Sequence, residues 1–225
     1  MKTPSSGSPP PFSQHAASFL ATEHWSLLGT RSMSWNEAFS RTNVFLNALS
    51  AAVVALALVA DATSFGESFF SFALVLFPMV LFLGVATYVK LVQINTDDIY
   101  QLRAMNRLRR AYLDIAPELE PYFTASAHDD EPGIWDTLRL GRTTPERTWM
   151  YFIVTTPTVI ATIDSIVVAA GVALLASRFD VSGVWLTLLS IASAVGAWAF
   201  LFSLQLQTLR MVRAETPRFP SPSPG

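Results

Sequence analysis

The chain has 225 residues, of which 51% are hydrophobic and only 14% charged, with a net charge of −2. A soluble domain carries about 25% charged residues, so the deficit points to a lipid-embedded protein, and the near-neutral balance argues against a nucleic-acid partner. Cysteine is absent, which excludes disulfides, thiol catalysis and Cys-ligated metal or cluster sites.

The first residues, Met1 to Gln14, are rich in Pro and Ser and show no apolar run behind a basic start. No signal peptide is expected there, and residues 1–33 read as a disordered or interfacial segment. Ser34-Trp35-Asn36-Glu37 has the spacing of a capping box, which places the start of the first helix at Ser34.

Four segments are long and apolar enough to cross the hydrocarbon core, which takes about 20 residues of helix. They run from about Val44 to Ala60, Phe69 to Val89, Met150 to Ala176 and Val184 to Leu206. The linkers near Thr63 and Phe179 are short and force antiparallel neighbours. The expected fold is therefore all-α: a polytopic membrane protein with four transmembrane helices in two antiparallel hairpins, 34–90 and 150–206. Trp149, Tyr151, Trp185 and Trp198 lie near span ends or within a turn or two of them, as an aromatic belt predicts. Fourteen of the fifteen Lys and Arg residues fall before span one, between spans two and three, or after span four, and only Arg178 lies on the other side. The positive-inside rule then puts both termini and the large loop in the cytoplasm, in a plasma (cell) membrane.

Span two continues without Gly or Pro from Tyr88 to Ile115, with Leu91, Ile94, Leu102, Met105 and Leu108 at helical spacing. Pro117 supplies a stop. A helical cytoplasmic extension is expected, within a cytoplasmic region 91–149. Arg103, Arg107 and Arg110 line one side of it, as a lipid-headgroup or partner face or simply a solvated one, and Arg110 can pair with Asp114. Beyond it, His128, Asp129 and Asp130 are weak candidates for a divalent cation. Adjacent residues on an acidic loop rarely converge, and no metal motif is matched, so no metal and no cofactor are expected.

Asp164 is the most informative residue. It falls near the middle of span three, where an ionised carboxylate costs at least about 2.5–3.5 kcal/mol. No Lys, Arg or His lies inside a span, so its partners must be hydroxyls, amides, backbone or water. Pro157, Asp164 and Gly171 share a face, with Pro157 a hinge signal and Gly171 a packing site; Pro78 marks a kink in span two. Thr158 adds a hydroxyl toward the cytoplasmic end. On span one, Asn43, Asn47, Ser50 and Asp61 fall on one stripe. Both stripes are expected to turn inward, with Ser50, Pro78 and Ser193 near the depth of Asp164. Two readings compete. Asp164 is a proton or ion site, or it is a carboxyl bonded to Asn47 or Ser50 that fixes helix register.

The strings Met105-Asn106-Arg107, Arg109, Ala111-Tyr112-Leu113, Ala116-Pro117-Glu118-Leu119-Glu120, Tyr122-Phe123 and His128-Asp129-Asp130 resemble the loop of a group of actinobacterial four-span integral membrane proteins. The likeness covers roughly residues 40–165. It implies a source and a fold but no activity.

No Ser-His-Asp, HExxH, P-loop or GxGxxG signature is present, so an enzyme is not expected. An oligomeric pore or transporter-type component built on Asp164 fits best, and four spans per chain then imply a homo-oligomer contacting membrane lipids. The alternative is a membrane-anchored interaction or scaffold protein presenting residues 91–148 to a cytoplasmic protein partner. The tail, 207–225, reads as disordered from its Pro/Ser content.

Overall fold

The computed structural model describes residues 14–139, 155–179 and 181–222. Among them there is no strand. The helices are α1 (Gln14–Thr63), α2 (Glu67–Ile115), α3 (Glu131–Arg139), α4 (Thr156–Ala176) and α5 (Gly183–Arg213), with 3-10 turns at Pro117–Tyr122 and Ser177–Phe179. Four of them, α1, α2, α4 and α5, are long and apolar enough to span a bilayer. This is a multi-pass membrane protein. Large apolar side chains face outward along all four, including Leu58, Phe82, Ile166 and Phe200, each more than 60% exposed. A water-facing surface does not carry patches on that scale, and lipid accepts them without cost.

The helix start at Ser34 is corrected: α1 begins at Gln14. Nothing upstream breaks the helix, because no proline occurs between Pro11 and Pro78. Residues 14–33 are accordingly helical rather than disordered. Ser34 sits inside the helix, and Glu37 pairs with Arg41 at 2.8 Å and Lys90 at 3.5 Å instead of closing a cap. The start of span three near Met150, with Trp149 and Tyr151, lies outside the described residues. α4 opens at Thr156 with Pro157 in its first turn. Pro157 is therefore a helix start, where its missing N–H costs nothing, and not a hinge. α2 runs unbroken from Glu67 to Ile115, through Pro78 and past the span, and stops just before Pro117.

The chain divides into two compact units. The spanning unit comprises 34–96 and 145–211. Its core is built by Phe45, Ala52, Val80, Tyr88, Leu91, Ile160 and Leu201. Tyr88 donates its hydroxyl proton to the Leu201 carbonyl, tying α2 to α5. Arg178, the outlying cation, makes a two-pronged pair with Glu67 at 2.6 and 2.8 Å, joining the start of α2 to the end of α4.

The second unit comprises 1–33, 97–144 and 212–225. Here Arg31 holds Asp98 at 2.6 and 3.2 Å, and His24 stacks on Tyr112 with ring centroids 6.0 Å apart. Those contacts anchor the early turns of α1 to the late turns of α2. The tail is not left free, in contrast to its composition. Residues 215–221 dock on this unit, for reasons that lie in two aspartates.

Candidate functional site

Asp164 lies two turns into α4, about 12 Å from Thr156 at 1.5 Å per residue. It is about two-fifths of the way along the helix, close to its middle as expected. Its side chain is 1% exposed, and neither carboxylate oxygen has a hydrogen-bond partner among the described residues. The facing residue is Gly84 of α2. A methyl group built on Gly84 would overlap Asp164 Oδ1 and lie 2.6 Å from its Cγ. Only a bare backbone leaves room for the carboxyl there. Sequence reasoning did not single out Gly84. It is the only glycine of span two, and its depth matches that of Asp164 once α4 is known to begin at Thr156.

The expected companions are elsewhere. Asn43, Asn47, Ser50 and Asp61 are all exposed, because α1 buries the opposite face through Ala38, Phe45 and Ala52. The inward stripe is corrected to an outward one. Ser50 hydrogen-bonds its own helix at the Leu46 carbonyl. The reading of Asp164 as a register pin bonded to Asn47 or Ser50 falls with that correction. Pro78 is exposed, and Ser193 bonds the Ser190 carbonyl. Thr158 is buried but belongs to a separate cluster: its hydroxyl meets Thr155 at 2.9 Å and Gln205 at 3.3 Å. Gly171 faces Phe77 at 3.7 Å from where a methyl would sit, an ordinary packing distance. A cavity of about 270 Å³ between α1, α2 and α4 is lined by Leu49, Leu56, Phe77, Val80, Ile163 and Val167 among others, all apolar. Its lining offers no ligand to a cation, and Asp164 is not part of it.

The other buried carboxylate, Asp129, is in the second unit beside the partly buried Asp130, where the sequence suggested a weak metal site. Asp129, also 1% exposed, accepts the Arg107 Nε at 2.6 Å and the backbone N–H groups of Arg218 at 3.0 Å and Phe219 at 2.7 Å. Its own N–H donates to the Phe219 carbonyl at 3.1 Å. Asp130 caps α3, accepting the Gly133 N–H at 3.0 Å. It also takes the N–H and hydroxyl of Ser221 at 2.6 and 2.8 Å. Gly133 is held against the His128 carbonyl so tightly that a methyl would overlap it. Asn106, fully buried, donates to the His128 and Gly133 carbonyls and accepts from Arg109 and Thr137. Arg103 is buried and pairs with Glu215 at 3.1 Å.

The Arg103–Arg107–Arg110 face is thus largely spent inside the protein. Arg107 stays about one-third exposed, and Arg110, the most exposed of the three, pairs with Asp114 at 3.0 Å as its spacing allows. Among the described residues no group of three acidic or histidine side chains is placed to hold a metal. The two aspartates form a clasp for an extended peptide, and the peptide is the chain's own tail. Burial opposes the charge on Asp129, but the N–H groups of Arg218 and Phe219 and the Arg107 guanidinium outweigh it and hold the carboxyl below its usual range. For Asp130 burial is likewise outweighed, by the Ser221 and Gly133 N–H groups, the Ser221 hydroxyl and His128.

Comparison with protein-family models, curated proteins and solved structures finds no match.

Proposed function

We propose that this chain is a transporter-type component of a plasma membrane, with its spans in two antiparallel hairpins, its termini cytoplasmic and Asp164 as the group that takes up a proton or small cation. One observation supports the reading: a carboxyl that is 1% exposed has no hydrogen-bond partner on either oxygen among the described residues. A buried polar group left unsatisfied costs about 1–3 kcal/mol, and an ionised one more. A carboxyl that served only to hold the fold would be bonded to something. A bound proton or cation supplies what the surrounding protein withholds. A carboxyl buried to 1% exposure fits a coupling site in a protein that changes conformation better than the wall of an open pore. No enzymatic chemistry is assigned.

Proteoliposomes carrying an entrapped pH dye test it. Wild type should move protons or exchange a cation for them, and Asp164→Asn should reduce the flux at least tenfold while keeping the assembled protein. Equal flux from both proteins rejects the reading.

The clasp supports a second reading, a membrane-anchored interaction protein whose docked tail exchanges with a partner peptide of similar sequence. A peptide covering residues 214–225, added to the protein carrying Asp129→Ala and to wild type, separates the two. Binding to wild type alone favours it.

A further inference from the structure

The outward stripe on α1 has a regular rhythm. From Asn43, alternate steps of four and three residues lead through Asn47, Ser50, Val54 and Ala57 to Asp61. Every one of the six is exposed, and together they lie opposite Phe45, which is 0% exposed, and Ala52. Neither Asn43 nor Asn47 has a hydrogen-bond partner among the described residues. The flanking exposed positions of the same helix carry what lipid prefers: Val44, Leu46, Val53 and Leu58. Apart from Val54, this is a narrow polar and small-residue line between apolar flanks, and its seven-residue repeat is the pattern of a helix–helix seam.

We infer that this stripe is the contact between two copies of the chain, packed α1 against α1. The chemistry of the stripe selects the partner. All copies insert in one orientation, so two α1 helices meeting in the bilayer are parallel, and a two-fold axis along the membrane normal sets each residue against itself. An Asn amide carries both donors and an acceptor, so Asn47 facing Asn47 satisfies both sides. The stripe carries no charge until Asp61, at the wetted end of α1, so nothing within the span repels a second copy. Ser50 and Ala57 are small enough to let the two backbones approach, and the seven-residue repeat sets a shallow left-handed crossing of about 20°. The contact does not depend on what Asp164 binds.

The chain contains no cysteine, so single replacements report cleanly. Asn47→Cys, Ser50→Cys and Val54→Cys would each be reconstituted at low protein-to-lipid ratio and oxidised with copper phenanthroline. Val44→Cys and Val53→Cys, exposed at similar depth on the two flanks, serve as controls. Covalent dimer should form at least tenfold faster at the three seam positions. Adding Asn43→Leu and Asn47→Leu to Val54→Cys should slow its crosslinking at least tenfold, with thermal stability of the monomer retained. Equal rates at seam and flanks mean random collision, and no dimer at any position means that lipid covers the stripe; either overturns the inference. Loss of flux in Asp164→Asn with crosslinking intact, or the reverse, separates this contact from the transport reading.

Discussion

Asp129 and Asp164 are buried to the same 1%, one in the tail-binding unit and one in the spanning unit, and they differ in everything else. Asp129 is met by a guanidinium and two backbone N–H groups. Asp164 meets the bare backbone of a glycine and has no hydrogen-bond partner among the described residues. A charge taken out of water is stable only when the protein replaces the water. Asp129 therefore belongs to the fold. Asp164 is a cost that the fold carries, and the comparison is open to direct attack from both sides.

The largest effect belongs to Asp129→Ala. It removes the acceptor of three donors, and breaking a buried pair costs about 3–5 kcal/mol. Arg107 is one-third exposed and recovers part of this from water, so about 2–3 kcal/mol is expected for release of the tail. Hydrogen exchange at the Arg218 and Phe219 amides should accelerate by about 30- to 150-fold, at about 1.4 kcal/mol per tenfold. Unchanged exchange would mean that Asp129 does not hold the tail. Acid should do the same by titration. Both clasp carboxyls are depressed in the folded state, so their contribution is complete above the ordinary carboxylate range of about 4 and is lost as pH falls through the lower folded values. Tail protection should be flat from pH 8 to about 5 and collapse only below about pH 4.

Gly84→Ala comes next. The added methyl collides with the Asp164 carboxyl, and overpacking of this kind costs about 1–3 kcal/mol. Gly171→Ala is the matched control, since its methyl meets Phe77 at normal distance and should change stability by less than about 0.5 kcal/mol. Combining Gly84→Ala with Asp164→Ala should recover most of the loss, because the second change removes the atoms that the first one strikes. Additive losses in that cycle would show that the two residues do not meet.

The helices were legible because long apolar runs leave little choice, and the unbroken passage of α2 from the span to Pro117 follows from helical spacing with no Gly or Pro between Tyr88 and Ile115. Helix starts were harder. The capping box at Ser34 is chemically sound, but a cap ends a helix only where something upstream prevents continuation, and residues 14–33 contain nothing that does. Which face turns inward was not legible on α1. In water, hydropathy separates core from surface. In lipid both sides accept Val and Leu, so a polar stripe is as compatible with a neighbouring chain as with the interior. The Gly84–Asp164 contact needed the depth of α4, and that depended on where the helix begins. The clasp joins Asp129 and Asp130 to residues 89 to 91 positions away through backbone N–H groups, which leave no trace in side-chain periodicity.

The smallest effect is the sharpest test of the contrast. Asp164→Asn keeps the size of the side chain and removes its ability to ionise. Because no donor faces the carboxyl, there is no bond for the substitution to break, and the amide is no worse satisfied than the acid was. Thermal stability in detergent should shift by the equivalent of less than about 1 kcal/mol in either direction. The same substitution at Asp129 places an amide N–H where donors already crowd and should cost more than at Asp164 by about 1–2 kcal/mol. Equal losses at the two sites would mean that Asp164 has a structural partner after all. A near-silent Asp164→Asn beside a damaging Asp129→Asn leaves Asp164 without a role in holding the protein together, and its chemistry then has to be sought in what it binds.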